Sequence, residues 1–243
     1  MKILILDIET APHVAYVWGL YPDGIPLDNL KEPGYILCWS AKWLGSDEVV
    51  AASRVDGNML SDIHALLDEA DVVVTYNGKR FDIPTLNGEF IAKGMLPPSG
   101  YKQVDLYQVV KKNFRFPSIK LDYVVKHFKI GAKKKHRGMS MWLDCMKGDL
   151  AAYAEMMEYN VEDVSITEKL YKKLLPWITN HPNQGLYADN MDVCPNCGGV
   201  HLTRRGYAYT SMGKFHRYRC KTCGTWSRGR KSVAVKVGFV QER

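Results

Sequence analysis

Hydrophobic residues in the first third of the chain recur with two different periods. The aliphatic run Ile3–Leu6 predicts a buried strand, and the apolar segments Tyr35–Leu44 and Glu48–Arg54 predict two more. Apolar residues at helical spacing predict a helix over Asn58–Ala70, followed by a parallel strand at Asp71–Thr75. The pattern therefore predicts an α/β fold with a mixed or parallel sheet and a crossover helix.

Two further helices and one irregular segment complete this pattern. Ile83–Lys93 is predicted to be helical after a turn at Asn77 and Gly78, and a long helical pattern runs over Asp149–Leu175. The segment Pro12–Pro33 is too rich in glycine and proline to form one element. We expect it to be either a loop beside a functional site or a surface insertion.

Acidic residues stand at the ends of these predicted elements. Asp7 and Glu9 follow the first strand and point to the same side of it, because side chains alternate along a strand. Asp82 lies at a strand-to-helix junction. Tyr159 and Asp163 are four residues apart in the long helix, so they share one face. Each feature alone could be a solvated strand end, a helix cap or a wet helix face, but together they predict a cluster.

A cluster of carboxylates has a specific metal chemistry. Ligand sets made only of oxygen favour Mg²⁺ or Mn²⁺ over zinc or copper. Two such ions, roughly 3.5–4 Å apart, can bind the attacking and the leaving oxygen of a phosphoryl transfer. A phenol is a poor base at neutral pH, so a nearby tyrosine is better suited to orienting the attacking water. The predicted chemistry is cleavage of nucleic-acid phosphodiesters.

The order and spacing of these strings resemble the Exo I, Exo II and Exo III motifs of the DEDD exonuclease superfamily. The position of Tyr159 resembles the DEDDy branch, which includes the proofreading domains of family B DNA polymerases; the histidine branch would carry His where Glu158 stands. The resemblance covers about residues 1–178. It implies a ribonuclease H-like mixed sheet flanked by helices, and stepwise removal of nucleotides from a 3′ end.

The resemblance also implies roles for individual residues. Asp7, Glu9 and Asp163 would hold one metal ion, Asp7 and Asp82 would act on a second, and Tyr159 would align the nucleophilic water. Both ions would be Mg²⁺ or Mn²⁺.

Neighbouring residues receive weaker assignments. Asn77 and Phe81 would lie beside the terminal nucleotide, whereas a supporting role for Asp105 is left open. The aromatic residues of Pro12–Pro33 are expected to pack on the core, with stacking on bases as the alternative. The polymerase domain of the proofreading relatives is missing from this sequence, so we expect a free-standing nuclease of bacterial or phage type.

The carboxyl-terminal part contains two Cys-x-x-Cys pairs. The four cysteines are Cys194, Cys197, Cys220 and Cys223. This spacing predicts a closed, structural site for one Zn²⁺, with a hairpin within Val200–Arg219 and a further strand at Val233–Val237; the pattern resembles a zinc ribbon. Redox dithiols or disulfides are the alternative. We expect zinc in a reducing cytoplasm, bacterial or of a phage-infected host, because no secretory segment precedes Asp7.

Positive charge is concentrated in the same region. Residues 191–243 contain 11 Lys and Arg against 2 acidic residues, a net charge of +9, whereas residues 1–190 contain 22 against 24, a net charge of −2. We therefore expect a nuclease domain over 1–178, a linker over 179–190 and a basic zinc ribbon over 191–243 that binds nucleic acid. Predicted contacts are Lys133, Lys134, Lys135 and Arg137 in a basic loop, and Arg204, Arg205, Arg217, Arg219, Arg228, Arg230 and Lys231 in the ribbon.

The combined prediction is a metal-dependent 3′–5′ exonuclease whose zinc ribbon assists substrate binding. Single-stranded DNA is the expected substrate, ahead of RNA, and no membrane association is expected because no apolar run reaches membrane-spanning length. Three alternatives stay open: a ribonuclease H-like endonuclease or resolvase, a non-catalytic nucleic-acid-binding protein, and an adaptor whose ribbon binds a protein.

Overall fold

The computed structural model describes residues 1–132, 136–188, 192–211 and 213–233. The chain forms two compact units, Lys2–Leu170 and the part from Tyr171 onward. Lys133, Lys134, Lys135 and most of the strand predicted at Val233–Val237 lie outside the described residues. Within the described ranges, none of the helices combines the length and the apolar character needed to cross a membrane.

The first unit is built on a five-stranded mixed sheet. The strands of this unit are β1 (Ile3–Thr10), β2 (Val14–Ala15), β3 (Leu30–Glu32), β4 (Ile36–Trp43), β5 (Val50–Ser53), β6 (Val72–Thr75) and β7 (Lys102–Asp105), of which β2 and β3 lie outside the five-stranded sheet. The sheet has the order β5-β4-β1-β6-β7. β4 is antiparallel to both β1 and β5, whereas β1, β6 and β7 are parallel to one another. The carboxyl ends of β1, β6 and β7 therefore meet at one edge of the sheet.

Helices flank this sheet and confirm the predicted α/β pattern. They are α1 (Met59–Glu69), α2 (Asp82–Ala92), α3 (Leu106–Asn113), α4 (Leu121–His127), α5 (Met139–Met146) and α6 (Leu150–Leu174). The predicted boundaries of α1, α2 and α6 differ from these by one residue at each end. The last residues of α6, from Tyr171, are assigned to the second unit.

Side chains from both faces of the sheet are buried. Leu4 and Leu6 of β1 pack in one cluster with Leu67 of α1 and other apolar residues of α2. Leu37 of β4 belongs to a second cluster that contains Met156 of α6. Burial on two faces explains why the β1 sequence is a continuous aliphatic run rather than an alternating one.

The segment after β1 differs from the prediction. β2 and β3 form a small antiparallel pair, and a short 3-10 helix, Leu27–Asn29, leads into β3. Tyr16, Trp18 and Tyr21 are exposed, and Trp18 is fully so. The expectation that these rings pack on the core is therefore wrong.

The second unit contains a three-stranded antiparallel sheet. Its strands are β8 (Leu202–Thr210), β9 (Gly213–Cys220) and β10 (Trp226–Val233), in the order β10-β9-β8. β8 and β9 form the hairpin that was predicted within Val200–Arg219. β10 was not predicted, because its sequence is mostly Ser, Arg, Gly and Lys and shows no apolar alternation. Two 3-10 helices precede the sheet, at Leu175–Trp177 and Gln184–Leu186.

Candidate active site

Three acidic side chains from two distant parts of the chain meet beside the sheet. β1 contributes Asp7 and Glu9, and α6 contributes Asp163. One carboxylate oxygen from each lies within 4.8 Å of the other two. Asp163 is buried, while Asp7 and Glu9 are half-buried. The alternation of a strand and the passage of a long helix thus place three of the four predicted carboxylates around one point.

The donor set of this cluster fits a hard divalent cation. All three groups offer oxygen, and a cation placed among them would offset the mutual repulsion of three carboxylates. Several carboxylate oxygens close together are the ligands that Mg²⁺ and Mn²⁺ prefer in proteins. Asp7, Glu9 and Asp163 are therefore the residues that could hold such an ion.

Asn160 belongs to the same site, although no role was predicted for it. Its side-chain Nδ2 donates a hydrogen bond of 2.7 Å to Oδ2 of Asp7, and the residue is fully buried. Asn160 precedes Asp163 by three residues, so both lie on the same face of α6. A buried asparagine requires polar partners, and its position next to Tyr159 was the signal available in the sequence.

Asp82 is the first residue of α2 and is also buried. Its Oδ1 accepts a hydrogen bond of 3.2 Å from the backbone N–H of Ile8, which stands between Asp7 and Glu9. Asp82 is therefore adjacent to β1 without joining the 4.8 Å group. The pKa of Asp82 is raised to about 7, and burial is the largest cause. Hydrogen bonds from backbone N–H groups, including the N–H of Ile8, lower the pKa, whereas the negative charge of Asp105 raises it further. Its role at a second metal ion stays a prediction.

Asp105 organises the turn that leads to Asp82. It caps the amino end of α3 by accepting a 3.0 Å hydrogen bond from the backbone N–H of Tyr107. The same carboxylate accepts the backbone N–H groups of Asn77, at 2.9 Å, and of Lys79, at 3.4 Å. Asp105, whose supporting role was left open above, thus holds the loop between β6 and α2.

The turn itself depends on two unusual backbone positions. Asn77 has a φ of 73°, a left-handed conformation that asparagine tolerates better than most residues. Gly78 packs so closely on Thr75 that an added Cβ would lie 2.4 Å from the Thr75 hydroxyl oxygen. Phe81 follows the turn and is 43% exposed. The loop can therefore present Phe81 outward while it directs Asp82 inward.

Tyr159 lies one helical turn before Asp163 and packs against two other aromatic rings. Its ring meets His136 edge to face, with centroids 5.0 Å apart, and Trp142 in the same manner at 6.5 Å. Arg137 follows His136 but forms ion pairs with Asp144 at 2.9 Å and Glu155 at 2.7 Å. Arg137, a residue of the predicted basic loop, is thus ion-paired with two carboxylates. Its contact with a phosphate stays a prediction.

The family model RNase_H_2, which describes the RNase_H superfamily, matches residues 45–175, more than half of the chain. This chain belongs to the RNase H superfamily. Its mixed sheet flanked by helices is an RNase H-like fold, as expected. The matched range includes α6 with Tyr159 and Asp163 and the loop with Asp82, but it begins after the strand that carries Asp7 and Glu9.

DNA polymerases are similar to this RNase H superfamily member over part of their length. DNA polymerase 1 of Pyrococcus abyssi and the DNA polymerase of Pyrococcus glycovorans are each 24% identical to it over 202 residues, covering 72% of this chain and 25% of the polymerase. The structure of the family B DNA polymerase from Pyrobaculum calidifontis matches with a TM-score of 0.55 and 21% identity, covering 86% of this chain and 31% of the polymerase. The chain thus spans a quarter to a third of these relatives.

The second unit of this superfamily member contains a separate sulfur cluster. One Sγ atom from each of the four predicted cysteines lies within 4.8 Å of the others. The Sγ atoms of Cys194 and Cys223 are 3.6 Å apart, and those of Cys197 and Cys220 are 3.7 Å apart. Four converging thiolates fit a closed tetrahedral zinc site, so the cluster fits a zinc ribbon.

The local backbone supports thiolates in this cluster. The backbone N–H of Gly199 donates to Sγ of Cys197 at 3.4 Å. For Cys220, burial raises the pKa, but hydrogen bonds from the backbone N–H groups of Cys223 and Thr222 and from the side chains of Cys197 and Cys223 together lower the pKa to about 7. For Cys194, burial is the largest cause and raises the pKa to about 11. Donors directed at a sulfur stabilise its anionic form, which is the form that binds metal.

The ribbon sheet presents cations on both faces. Strand pairing places Arg219 opposite Trp226 and Arg217 opposite Arg228, so these side chains share one face. The guanidinium of Arg217 lies 4.7 Å from the Trp226 ring, and that of Arg228 lies 4.2 Å from the Phe215 ring. We call this exposed surface the arginine face.

The remaining predicted ribbon contacts lie elsewhere. Arg204 is paired with Tyr218 on the opposite face, where Lys214 lies 3.9 Å from the Tyr207 ring. Arg205 stands at a bulge in β8, and its carbonyl accepts from Nε of Arg217. Arg230 and Lys231 lie in the irregular part of β10 between Arg228 and Ser232. The predicted residues therefore do not form a single surface.

Proposed function

We propose that this protein is a metal-dependent 3′–5′ exonuclease that hydrolyses phosphodiester bonds, with single-stranded DNA as its preferred substrate. The observation that carries the proposal is the convergence of Asp7, Glu9 and Asp163 oxygens within 4.8 Å, with Tyr159 one helical turn from Asp163. The similarity to a part of DNA polymerases supports the proposal, because the DEDDy branch, which the acidic motifs resemble, includes the proofreading domains of family B DNA polymerases.

The protein's own residues would bind and orient the reactants. Two bound Mg²⁺ or Mn²⁺ ions would supply Lewis-acid stabilisation of charge on the phosphodiester and a lower pKa for bound water. Asp7, Glu9 and Asp163 would hold the first ion, and Asp82 would assist at the second. Tyr159, packed against His136 and Trp142, would hold a water by its hydroxyl rather than accept the water's proton.

The ribbon is proposed to bind the nucleic-acid strand through its arginine face. Arg217, Arg219 and Arg228 offer guanidinium groups to phosphates, and the indole of Trp226, 51% exposed, offers a surface on which a base can stack. Bases are available for stacking when they are unpaired, so the surface favours single strands. The bound Zn²⁺ would be structural, because four cysteines leave no open coordination position.

Matched labelled oligonucleotides test the polarity of cleavage. With Mg²⁺ or Mn²⁺, a 5′-labelled strand should give a ladder of shortening products, whereas a 3′-labelled strand should release labelled mononucleotide from the start. Chelator should stop both reactions, and Asp163→Asn should lower the rate by more than about 100-fold while binding persists. The opposite label pattern would refute the proposal, and cleavage of a circular strand would favour an endonuclease. DNA and RNA versions of each strand report the preferred sugar.

A pair of variants with equal charge tests the arginine face. Arg217→Gln with Arg219→Gln removes two cations from it, whereas Arg204→Gln with Lys214→Gln removes two from the opposite face. The first pair should reduce the slope of log affinity against log salt concentration by about 1.4, because each phosphate contact with a single strand contributes about 0.7 to that slope. Equal effects of the two pairs would show that only the net charge of the ribbon matters. Removal of residues 191–243 should weaken binding further.

A further inference from the structure

A groove in the first unit carries cations that no part of the proposed site uses. It has a volume of about 480 Å³ and opens where α3 ends. Lys111, Lys112 and Arg115 line it, together with Phe114 and Phe116, whose rings stack with centroids 5.4 Å apart and an interplanar angle of 10°. Grooves of this size accommodate ligand groups, and this one combines cations with aromatic rings.

The charge around this groove contrasts with the rest of its unit. Residues 2–170 contain 20 Lys and Arg against 23 acidic residues, a net charge of −3. Within them, residues 111–129 contain six Lys and Arg and a single acid, Asp122, a net charge of +5. Asp122 forms an ion pair with Lys126 at 2.7 Å, outside the residues that line the groove. A local excess of five positive charges on a unit that is otherwise −8 favours a polyanionic ligand.

Hydrogen bonds connect the groove to the loop that bears Asp82. The hydroxyl of Tyr76 donates to the backbone carbonyl of Ile119, which lines the groove. Tyr76 directly precedes Asn77, whose backbone N–H is held by Asp105 at the start of α3. The eight residues of α3 span about 12 Å at 1.5 Å per residue. The cations therefore lie one short helix away from the turn that is expected to meet the terminal nucleotide.

We propose that this groove binds the phosphate backbone of a single nucleic-acid strand, several nucleotides from the end that is cleaved. The inference rests on the proposed function for the identity of the polyanion. Lys111 and Arg115 are exposed and neutralise phosphates, while the stacked Phe114 and Phe116 provide an apolar wall against which an unpaired base can lie. The groove thereby makes affinity depend on strand length, since a very short substrate occupies only the carboxylate site.

The test compares two double variants of the full chain. Lys111→Gln with Arg115→Gln removes two charges from the groove. Lys93→Gln with Lys102→Gln removes two exposed charges that do not line the groove. Lys93 follows α2, and Lys102 begins β7, at the end of that strand away from Asp105. Affinity is measured by fluorescence anisotropy with a strand of about twelve nucleotides in chelator, and KM and kcat are measured with the same strand and with a dinucleotide in Mn²⁺.

The groove variant should bind the longer strand about 5- to 10-fold more weakly, with a salt slope reduced by about 1.4 and an unchanged kcat. Its KM for the dinucleotide and the properties of the control variant should stay within about 2-fold of the original protein. An equal loss in both variants, or an equal loss on the dinucleotide, would overturn the inference. Anisotropy measures binding without catalysis. An inactive protein would therefore refute the proposed function, while the anisotropy data would still show whether the groove binds the strand.

Discussion

Replacing Asp82 by asparagine tests how the buried carboxylate is held in the metal-free protein. Asp82 is 3% exposed, and its Oδ1 accepts the N–H of Ile8. An asparagine at this position keeps an oxygen to accept that hydrogen bond and removes the negative charge. The substitution therefore isolates the cost of a buried charge from the loss of a contact.

The sign and size of the effect follow from the pKa of this group. An aspartate titrates near pH 3.9 in the unfolded chain, whereas burial, as the largest cause, raises the pKa of Asp82 to about 7 in the folded protein. The folded state binds the proton more tightly, so this group lowers stability progressively as pH rises from about 4 to about 7. A difference of about three units corresponds to about 4 kcal/mol. Since the new amide N–H₂ also requires a partner, we expect Asp82→Asn to stabilise the protein by about 1–4 kcal/mol at pH 8.

Urea unfolding in chelator, followed by circular dichroism from pH 4 to pH 8, measures this gain. The advantage of Asp82→Asn should be near zero at pH 4 and grow up to about pH 7. Asp47→Asn, which removes the same charge from an exposed loop, should show no such growth. Added Mn²⁺ should stabilise the original protein more than Asp82→Asn. A pH-independent difference, or a variant that is less stable throughout, would refute the account of Asp82 as a desolvated carboxylate.

Three other substitutions probe separate parts of the structure. Asn160→Ala removes the donor to Asp7 and should weaken Mn²⁺ binding by about 10- to 100-fold, as measured by a titration of activity against Mn²⁺ concentration. Gly78→Ala forces a methyl group against Thr75 and should destabilise the protein by about 1–3 kcal/mol in urea unfolding. Metal analysis of the purified protein should find one zinc per chain, and Cys220→Ser should lose it and lower the melting temperature.

The acidic motifs could be predicted because short-range geometry determines them. Asp7 and Glu9 share a side of β1 by alternation, and Tyr159 and Asp163 share a face of α6 by helical spacing. Both rules depend only on local periodicity, whereas the meeting of β1 with α6 was expected from the order and spacing of the motifs. The zinc site was predictable for a similar reason. Each Cys-x-x-Cys pair forms a local turn, and four thiolates are the ligand set of a structural zinc ion, so the two pairs were expected to meet.

Other features depend on partners that are distant in sequence. Asn160 gained its role through Asp7, which lies 153 residues away. β10 is held by pairing with β9, whereas its own residues have weak strand preference. The groove after α3 was not predicted because its lysines resemble an ordinary solvated helix end; only the packing of Phe114 and Phe116 reveals a concave surface between them.

The distribution of charge gives each part of this molecule a distinct physical task. A carboxylate cluster that binds divalent cations repels a polyanion until the cations are present, so binding energy for the strand has to come from other surfaces. We propose that the segment 111–129 and the ribbon supply it, because their net charges are +5 and, over residues 191–243, +9. In this arrangement the groups that attract the strand would be different from the groups that bind the metal ions. The carboxylates could then keep the geometry that metal ligation requires, while exposed cations and aromatic rings bind strands of any sequence.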